Sequence, residues 1–406
     1  MNNTLPKQSE QRTRVSSAFA HRDADRTPLF ELFWPYQPIY WDVCGRTAAT
    51  DMALAWDAHA EGISWEEEVE ALARADVDMA EYFELDMMLV GDTPSRTGSR
   101  PEKTGDRTWR MGKTEYTWNP DTCRVEPVNA GAEAGNWILR GRSEEDFRTC
   151  VESLNSDQPA AADPDSFARL ERVRELLDER GLDILCMCEV GAGTAAAQYP
   201  VCMWMWMLDE PVLYERWLNV QLQHGLAEME GCLKRGADAI ALGGDVSSDQ
   251  GPLISPDLYR RFILPAVQKQ IELVHRFDAY AVYTSDGNLW PIKDEFFVQS
   301  GADGYKEVDM AAGMTMERLI SESIDQQITI VGNIDARHTL CSGTPEEIEH
   351  HTRECLDQGL RSPGGHILHT SHSVHEGVPP ENYYTVWNTY RRYFGLPEKV
   401  RPDKRW

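Results

Sequence analysis

The sequence predicts an α/β fold, a single (β/α)8 barrel with an insertion between its second and third strands. Three observations predict it. Short apolar runs that end in Gly or polar residues alternate with amphipathic segments, and the theme occurs eight times. About 90 residues separate the second run from the third, far more than any other spacing. Hydrophobic residues are 41% and charged residues 26% of 406, ordinary for a chain with a large core. An open doubly wound sheet shares this alternation, so the pattern by itself leaves both topologies open.

The elements follow in order. Residues 1–12 are polar and read as a disordered tail, and 13–400 form one domain. The first two runs are TPLFELFW (27–34) and ELDMMLVG (84–91). The insertion, 93–162, opens with TPSRTGSRPEKTGDRTWRMGKTEYTW, rich in turn formers and then in β-formers. Met111-Gly112-Lys113 is expected to turn a hairpin. An insertion after a barrel strand sits on the catalytic face, which makes this one a candidate lid; surface decoration is the alternative. The remaining runs are LDILCMCEV (182–190), ADAIALGGD (237–245), AYAVYTSD (279–286), ADGYKEVD (302–309), ITIVGNID (328–335) and HILHTSHS (366–373). Between them, Thr344-Pro345-Glu346-Glu347 is a capping box with Gly359 as its stop. Ser255-Pro256 starts a helix that Pro265 should kink, and Thr315 is a further cap. MWMWML (203–208) reads as a buried helix start.

Lys plus Arg is 40 and Asp plus Glu is 67, a net charge of −27. Such a surface repels nucleic acid and anionic membranes and disfavours a highly anionic substrate. No apolar stretch reaches the length of a membrane span. MNNTLPKQSEQRTRV lacks the apolar core of a signal peptide, and the nine Cys are scattered. A cytoplasmic protein with reduced thiols is expected. Cys186 and Cys188 share a strand face and read as buried thiols rather than metal ligands.

In a barrel, chemistry gathers at the C-terminal ends of the strands. Here those ends carry Glu31 and Trp34, Asp92, Glu189, Asp245, Thr284 and Asp286 with Asn288 beyond, Glu307 and Asp309, and Asn333 and Asp335. The eighth run adds His366, His369 and His372, with His375 just after. Read as a strand, that run sends His366 and His372 to one face and His369 to the other. An acidic rim with one source of His suits acid–base work or a divalent metal. Taken singly, each Asp also fits a turn or a helix cap.

These blocks together resemble the uroporphyrinogen decarboxylase family, which includes cobalamin-dependent and methylcobamide methyltransferases. The resemblance covers about 12–396 and is carried by RTRVSSAFAHRDADRTPLF, GDVSSDQGPLISPDLYRRFILPAVQKQI, YTSDGNLWPIKDEFFVQSGADGYKEVDMAAGM, VGNIDARHTLCSGTPEEIEHH and SHSVHEGVPPENY. It implies a barrel with a deep C-terminal cleft, and often a homodimer. The decarboxylases' strand-two Asp maps onto Asp92 and their strand-eight His onto His372. Their paired Arg residues after strand one have no counterpart, because FELFWPYQPIYWDVCGR holds no basic residue before Arg46. The methyltransferases hold zinc with a His-x-Cys pair after strand five and a later Cys. Those first two positions are Thr284 and Asp286 here, and SPGGHILHTSHS offers no Cys.

The resemblance therefore implies an enzyme moving a methyl group from a small methylated substrate to a corrinoid protein. His372, Asp286 and Asp92 would be catalytic; Glu31, Trp34, Asp245, Glu307 and Asn288 would bind substrate. Asp286, Glu307 and His372 would be the ligands of a divalent metal such as zinc. The alternatives are a porphyrinogen decarboxylase, with Arg46 or Arg107 and Arg110 replacing the missing pair, and a non-catalytic barrel that binds a tetrapyrrole or a partner.

Overall fold

A computed structural model describes residues 9–128, 143–154, 161–194, 201–362 and 365–402. Eight parallel strands, one from each predicted run, form one nearly closed barrel. They are β1 (Phe30–Glu31), β2 (Met87–Val90), β3 (Leu185–Glu189), β4 (Ala239–Gly243), β5 (Tyr280–Thr284), β6 (Gly304–Lys306), β7 (Thr329–Ile334) and β8 (His366–Thr370). Their spatial order is their chain order, which selects the barrel over the doubly wound sheet. Isolated parallel bridges, Leu29 to Leu368 and Phe33 to Val374, join β1 to β8.

Alternation sorts the strand side chains into two cores. Phe30, Met87, Leu185, Met187, Ala239, Ala241, Val282, Val331 and Ile367 fill the barrel. Their neighbours, such as Met88, Cys186, Ile240, Tyr283, Ile330 and Leu368, pack outward against the helices. Cys186 and Cys188 are buried thiols in that outer layer, as their sequence context suggests.

The N-terminal tail differs from expectation. Helix Glu10–Phe19 begins within the stretch expected to be disordered, capped by Ser9. Val15 and Ala18 of this helix join the barrel-interior cluster, which explains its order. Arg12 pairs with Asp183 and Asp238, and Arg14 reaches the fully buried Asp86 at 2.8 Å. Residues 1–8 lie outside the described residues.

Between β2 and β3 the chain builds a four-stranded antiparallel sheet over Glu102–Gly105, Thr108–Met111, Thr114–Asn119 and Arg124–Pro127. The hairpin expected at Met111-Gly112-Lys113 is there, with Gly112 at φ +61°. Arg124 of its last strand lies 5.2 Å from the Trp34 ring centre and 3.0 Å from Glu376, so the sheet touches the rim of the barrel. Parts of 93–162 fall outside the described residues.

The helix starts read from sequence hold, but the expected stop at Gly359 does not: that residue is buried inside helix Pro345–Arg361, which is capped at Ser362. Thr344 and Glu347 form a reciprocal capping box, and Thr315 and Ser255 cap their helices. Pro265 is preceded by a π-helical segment, Tyr259–Ile263, that widens the helix where the ring removes a donor. In 203–208, Met203, Trp206 and Met207 are buried, whereas Met205 and Leu208 face out.

Candidate active site

Asp92, Glu189, Asp245, Asp286, Glu307 and His372 stand at or just beyond strand exits. On β5 the chain leaves at Thr284 and turns through Ser285-Asp286-Gly287. Gly287 sits at φ +79°, and a Cβ there would lie 2.9 Å from the Ser247–Ser248 backbone. Only Gly permits that approach, and it points Asp286 across the mouth. The Asp286 amide donates to Asp245 Oδ1 at 3.4 Å, and Asp286 Oδ2 lies 3.3 Å from His372 Nε2. Ser371 Oγ is 3.0 Å from His372 Nδ1. Thus β4, β5 and the loop after β8 converge on Asp245, Asp286 and His372.

Their electrostatics set their protonation. Burial disfavours a charged His372, but the Asp286 hydrogen bond and the charges of Glu307, Asp286 and Asp309 outweigh it and raise its pKa. Burial, then the repulsion of Asp286 and Glu307, pushes Asp245 up to about 6. The centre therefore sets an imidazole biased toward its charged form beside a carboxyl group biased toward its neutral one.

Two groups of the site have no place among the residues assigned from the resemblance. Lys306, on β6, is 1% exposed, and its Nζ lies 2.8 Å from Glu307 Oε1. Burial works against its charge, but Glu307, Glu189 and Asp245 keep it protonated. Glu189, on β3, opens into the cavity and yet is surrounded closely enough that burial lifts its pKa. Lys306 opposes that shift, and Glu307 and Asp92 add to it. A charged residue at an inward position of a strand is the signal for Lys306, and it is legible in YKEVD. Glu307 itself has φ +74°, an uncommon conformation for a residue with a side chain.

A cavity of about 480 Å³ opens beside these groups, lined by Trp34, Asp92, Glu189, Thr284 and apolar side chains. Asp92 and Trp34, both expected at the site, are in that lining. Arg169 orients the β2 exit. It is bidentate to the buried Asp76 at 2.8 and 2.7 Å, donates to the Asp92 carbonyl and packs on Gly91.

Other expected residues are placed differently. Glu31 lies in the seam between β1 and β8, accepting from Leu32 N and Thr370 Oγ1, with His369 Nδ1 2.9 Å away. It lines a second cavity of about 270 Å³ behind β1 and β2 rather than the main one. The carbonyl oxygen of the Asn288 side chain accepts from Trp290 N, a turn contact. Asp335 likewise caps three backbone amides, and Asp309 accepts from Ala311 N. Strand β8 ends at Thr370, so the expected pairing of His366 with His372 on one strand face does not occur. His366 is buried, bonded to the Gly332 carbonyl, and burial lowers its pKa to about 4. His375 lies at Cys341, 3.8 Å away.

The donor set does not fit the expected metal. Among the described residues no three His, Cys, Asp or Glu side chains group as metal ligands. Asp286 and His372 face each other, but one oxygen of Glu307 is taken by Lys306. At the two positions where the resemblance implies a zinc-binding His and Cys, this chain has the neutral Thr284 and Asp286.

Comparison with known proteins agrees with this architecture. Residues 170–393, more than half of the chain, match the family model described as uroporphyrinogen decarboxylase (URO-D). A uroporphyrinogen decarboxylase of Syntrophotalea carbinolica is 23% identical over 246 residues, 57% of this chain and 66% of that protein. A methylcobamide:CoM methyltransferase of Methanosarcina barkeri is 26% identical over 155 residues, 38% of this chain and 43% of that protein. The matches thus span less than two thirds of either relative's length. The solved structure of a methyltransferase from Methanosarcina mazei superposes with a TM-score of 0.60 at 18% identity, covering 95% of this chain and 99% of that one. That likeness is one of fold.

Proposed function

The chain belongs to the uroporphyrinogen decarboxylase family, and on that premise we propose that it moves a methyl group from a small methylated substrate to a corrinoid protein. One observation carries the choice within the family. Among the described residues, the main cavity is lined by two carboxylates, Asp92 and Glu189, and by no Arg or Lys. An octacarboxylate porphyrinogen would enter it with uncompensated like charges, at high cost. The Arg residues that could replace the missing pair are engaged elsewhere. Arg46 pairs with Asp51, Arg107 stacks on Trp118, and Arg110 faces Glu102 and Glu115.

The corrinoid, carried by its own protein, would supply the nucleophile that takes the methyl carbon. This chain would bind and orient the donor in the cavity and manage one proton. The bond from carbon to the heteroatom breaks with its electron pair staying on the heteroatom. His372, kept protonated by Asp286, donates to that lone pair, and Asp245 is placed to exchange the proton with solvent afterwards. Lys306 holds Glu307 and Glu189 in place beneath the mouth.

Incubation with uroporphyrinogen and chromatography of the products tests the choice. No coproporphyrinogen is expected; its formation would replace this reading with decarboxylation, in which Asp92 and His372 keep central roles.

A further inference from the structure

We infer that the methyl donor is a small organic cation methylated at its charged atom, an ammonium or a sulfonium. The inference rests on the methyl-transfer reading and names the chemistry of its substrate. It stands on three features of the main cavity. First, Asp92 and Glu189 line it, and among the described residues no Arg or Lys does. Next to it, Asp245, Asp286 and Glu307 are set against two positive charges, Arg337, which also pairs with Asp309 at 3.5 Å, and the buried Lys306, so the carboxylates outnumber the cations. Charge in a water-poor cleft acts over the whole space, so this one attracts cations.

Second, Trp34 is 43% exposed and borders the same cavity. An indole face beside carboxylates is the arrangement that recognises methylated onium groups, whose charge is spread over apolar methyls. The ring already attracts a cation, since the Arg124 guanidinium lies 5.2 Å from its centre. Third, Thr284 lines the cavity with a buried Oγ1 that has no hydrogen-bond partner among the described residues. A buried hydroxyl without a partner is costly, and a substrate hydroxyl or carbonyl would satisfy it. The site thus reads an onium group in the cavity and a neutral polar group at Thr284.

The reaction balances. The bond from methyl carbon to nitrogen or sulfur breaks, and its electron pair stays on that atom, which becomes neutral. The pair forming the new bond comes from the corrinoid of the partner protein. An amine product then takes the His372 proton and leaves as a cation; a thioether product is too weakly basic to be protonated and leaves neutral, with His372 keeping its proton.

Calorimetry on the full chain without any corrinoid tests the inference. The probes are tetramethylammonium, trimethylsulfonium, choline, uncharged tert-butanol and anionic pivalate. Either onium ion should bind at least about tenfold more tightly than tert-butanol, with pivalate weakest. Which onium binds better assigns nitrogen or sulfur. Choline should exceed tetramethylammonium several-fold, and Thr284→Val should erase that margin. Glu189→Gln and Asp92→Asn, both at groups open to the cavity, should each reduce onium binding and leave tert-butanol unchanged. Equal binding of tert-butanol or pivalate, no onium binding, or onium binding indifferent to both variants would overturn the inference. A protein that binds onium ions but methylates no corrinoid would sink the methyl-transfer reading alone. One that demethylates only neutral donors would sink this inference alone.

Discussion

The Asp286–His372 contact is the smallest unit on which the account depends. Asp286→Asn removes the carboxylate charge that, with Glu307 and Asp309, outweighs burial, so the His372 pKa should fall below its native value. An NMR titration of the imidazole would check this, and an unchanged pKa would mean the pair is not coupled. The raised folded pKa also fixes a sign. The contact's stabilisation is complete below the unfolded pKa of about 6.5 and is lost as pH rises through the higher folded value. Asp245 has the opposite consequence. Its carboxyl, pushed up to about 6, binds a proton in the folded state that the unfolded chain has released. Stability should therefore fall as pH rises from about 4 to 6. Asp245→Asn should raise stability at pH 7, measured by denaturant unfolding, while impairing activity. At this scale the sequence was informative about which strand ends carry ionisable groups. It could not tell which of them meet. Asn288 and Asp335 look like Asp286 in sequence, yet their side chains serve the local backbone. Lys306 stands in a strand whose inward face is legible, but its partners Glu189 and Asp245 lie on β3 and β4.

Among elements, the Arg169–Asp76 pair joins helix Ala168–Arg180 to helix Trp65–Tyr82 and fixes the β2 exit at Gly91-Asp92. Arg169→Ala leaves Asp76 buried and unpaired, at a cost of about 3–5 kcal/mol. Because Asp92 is then no longer held, activity should also fall in any folded fraction; Arg169→Lys should restore stability only in part. Thr344→Ala is the contrasting case. It removes one side-chain cap far from the cleft and should cost about 1 kcal/mol with no change in turnover, read by thermal unfolding and assay. Caps and turns are local, so Thr344, Thr315 and Gly112 were legible in the sequence. The order of helix Glu10–Phe19 comes from burial beneath the barrel, and the early end of β8 from the Thr370–Glu31 seam. Both depend on distant partners that local pattern does not reveal.

For the whole molecule, alternating inward and outward side chains on the strands specify a closed barrel with a cleft at one end. Periodicity exposed the strands, but closure between β1 and β8 rests on two isolated bridges and could not be read from two residues of strand. The net charge of −27 has its local counterpart in a cavity that, among the described residues, is lined by two carboxylates and by no Arg or Lys. Among the described residues no helix is long and apolar enough to cross a membrane. The central claim is that this cleft delivers a methyl group and does not remove carboxylates. The most direct measurement supplies a reduced free corrinoid with a panel of methylated onium and neutral donors and follows its methylation by absorbance. The account predicts methylation that depends on enzyme and donor and falls about a hundredfold or more in His372→Gln. No methylation with any donor, together with coproporphyrinogen formed from uroporphyrinogen by the same preparation, would contradict it.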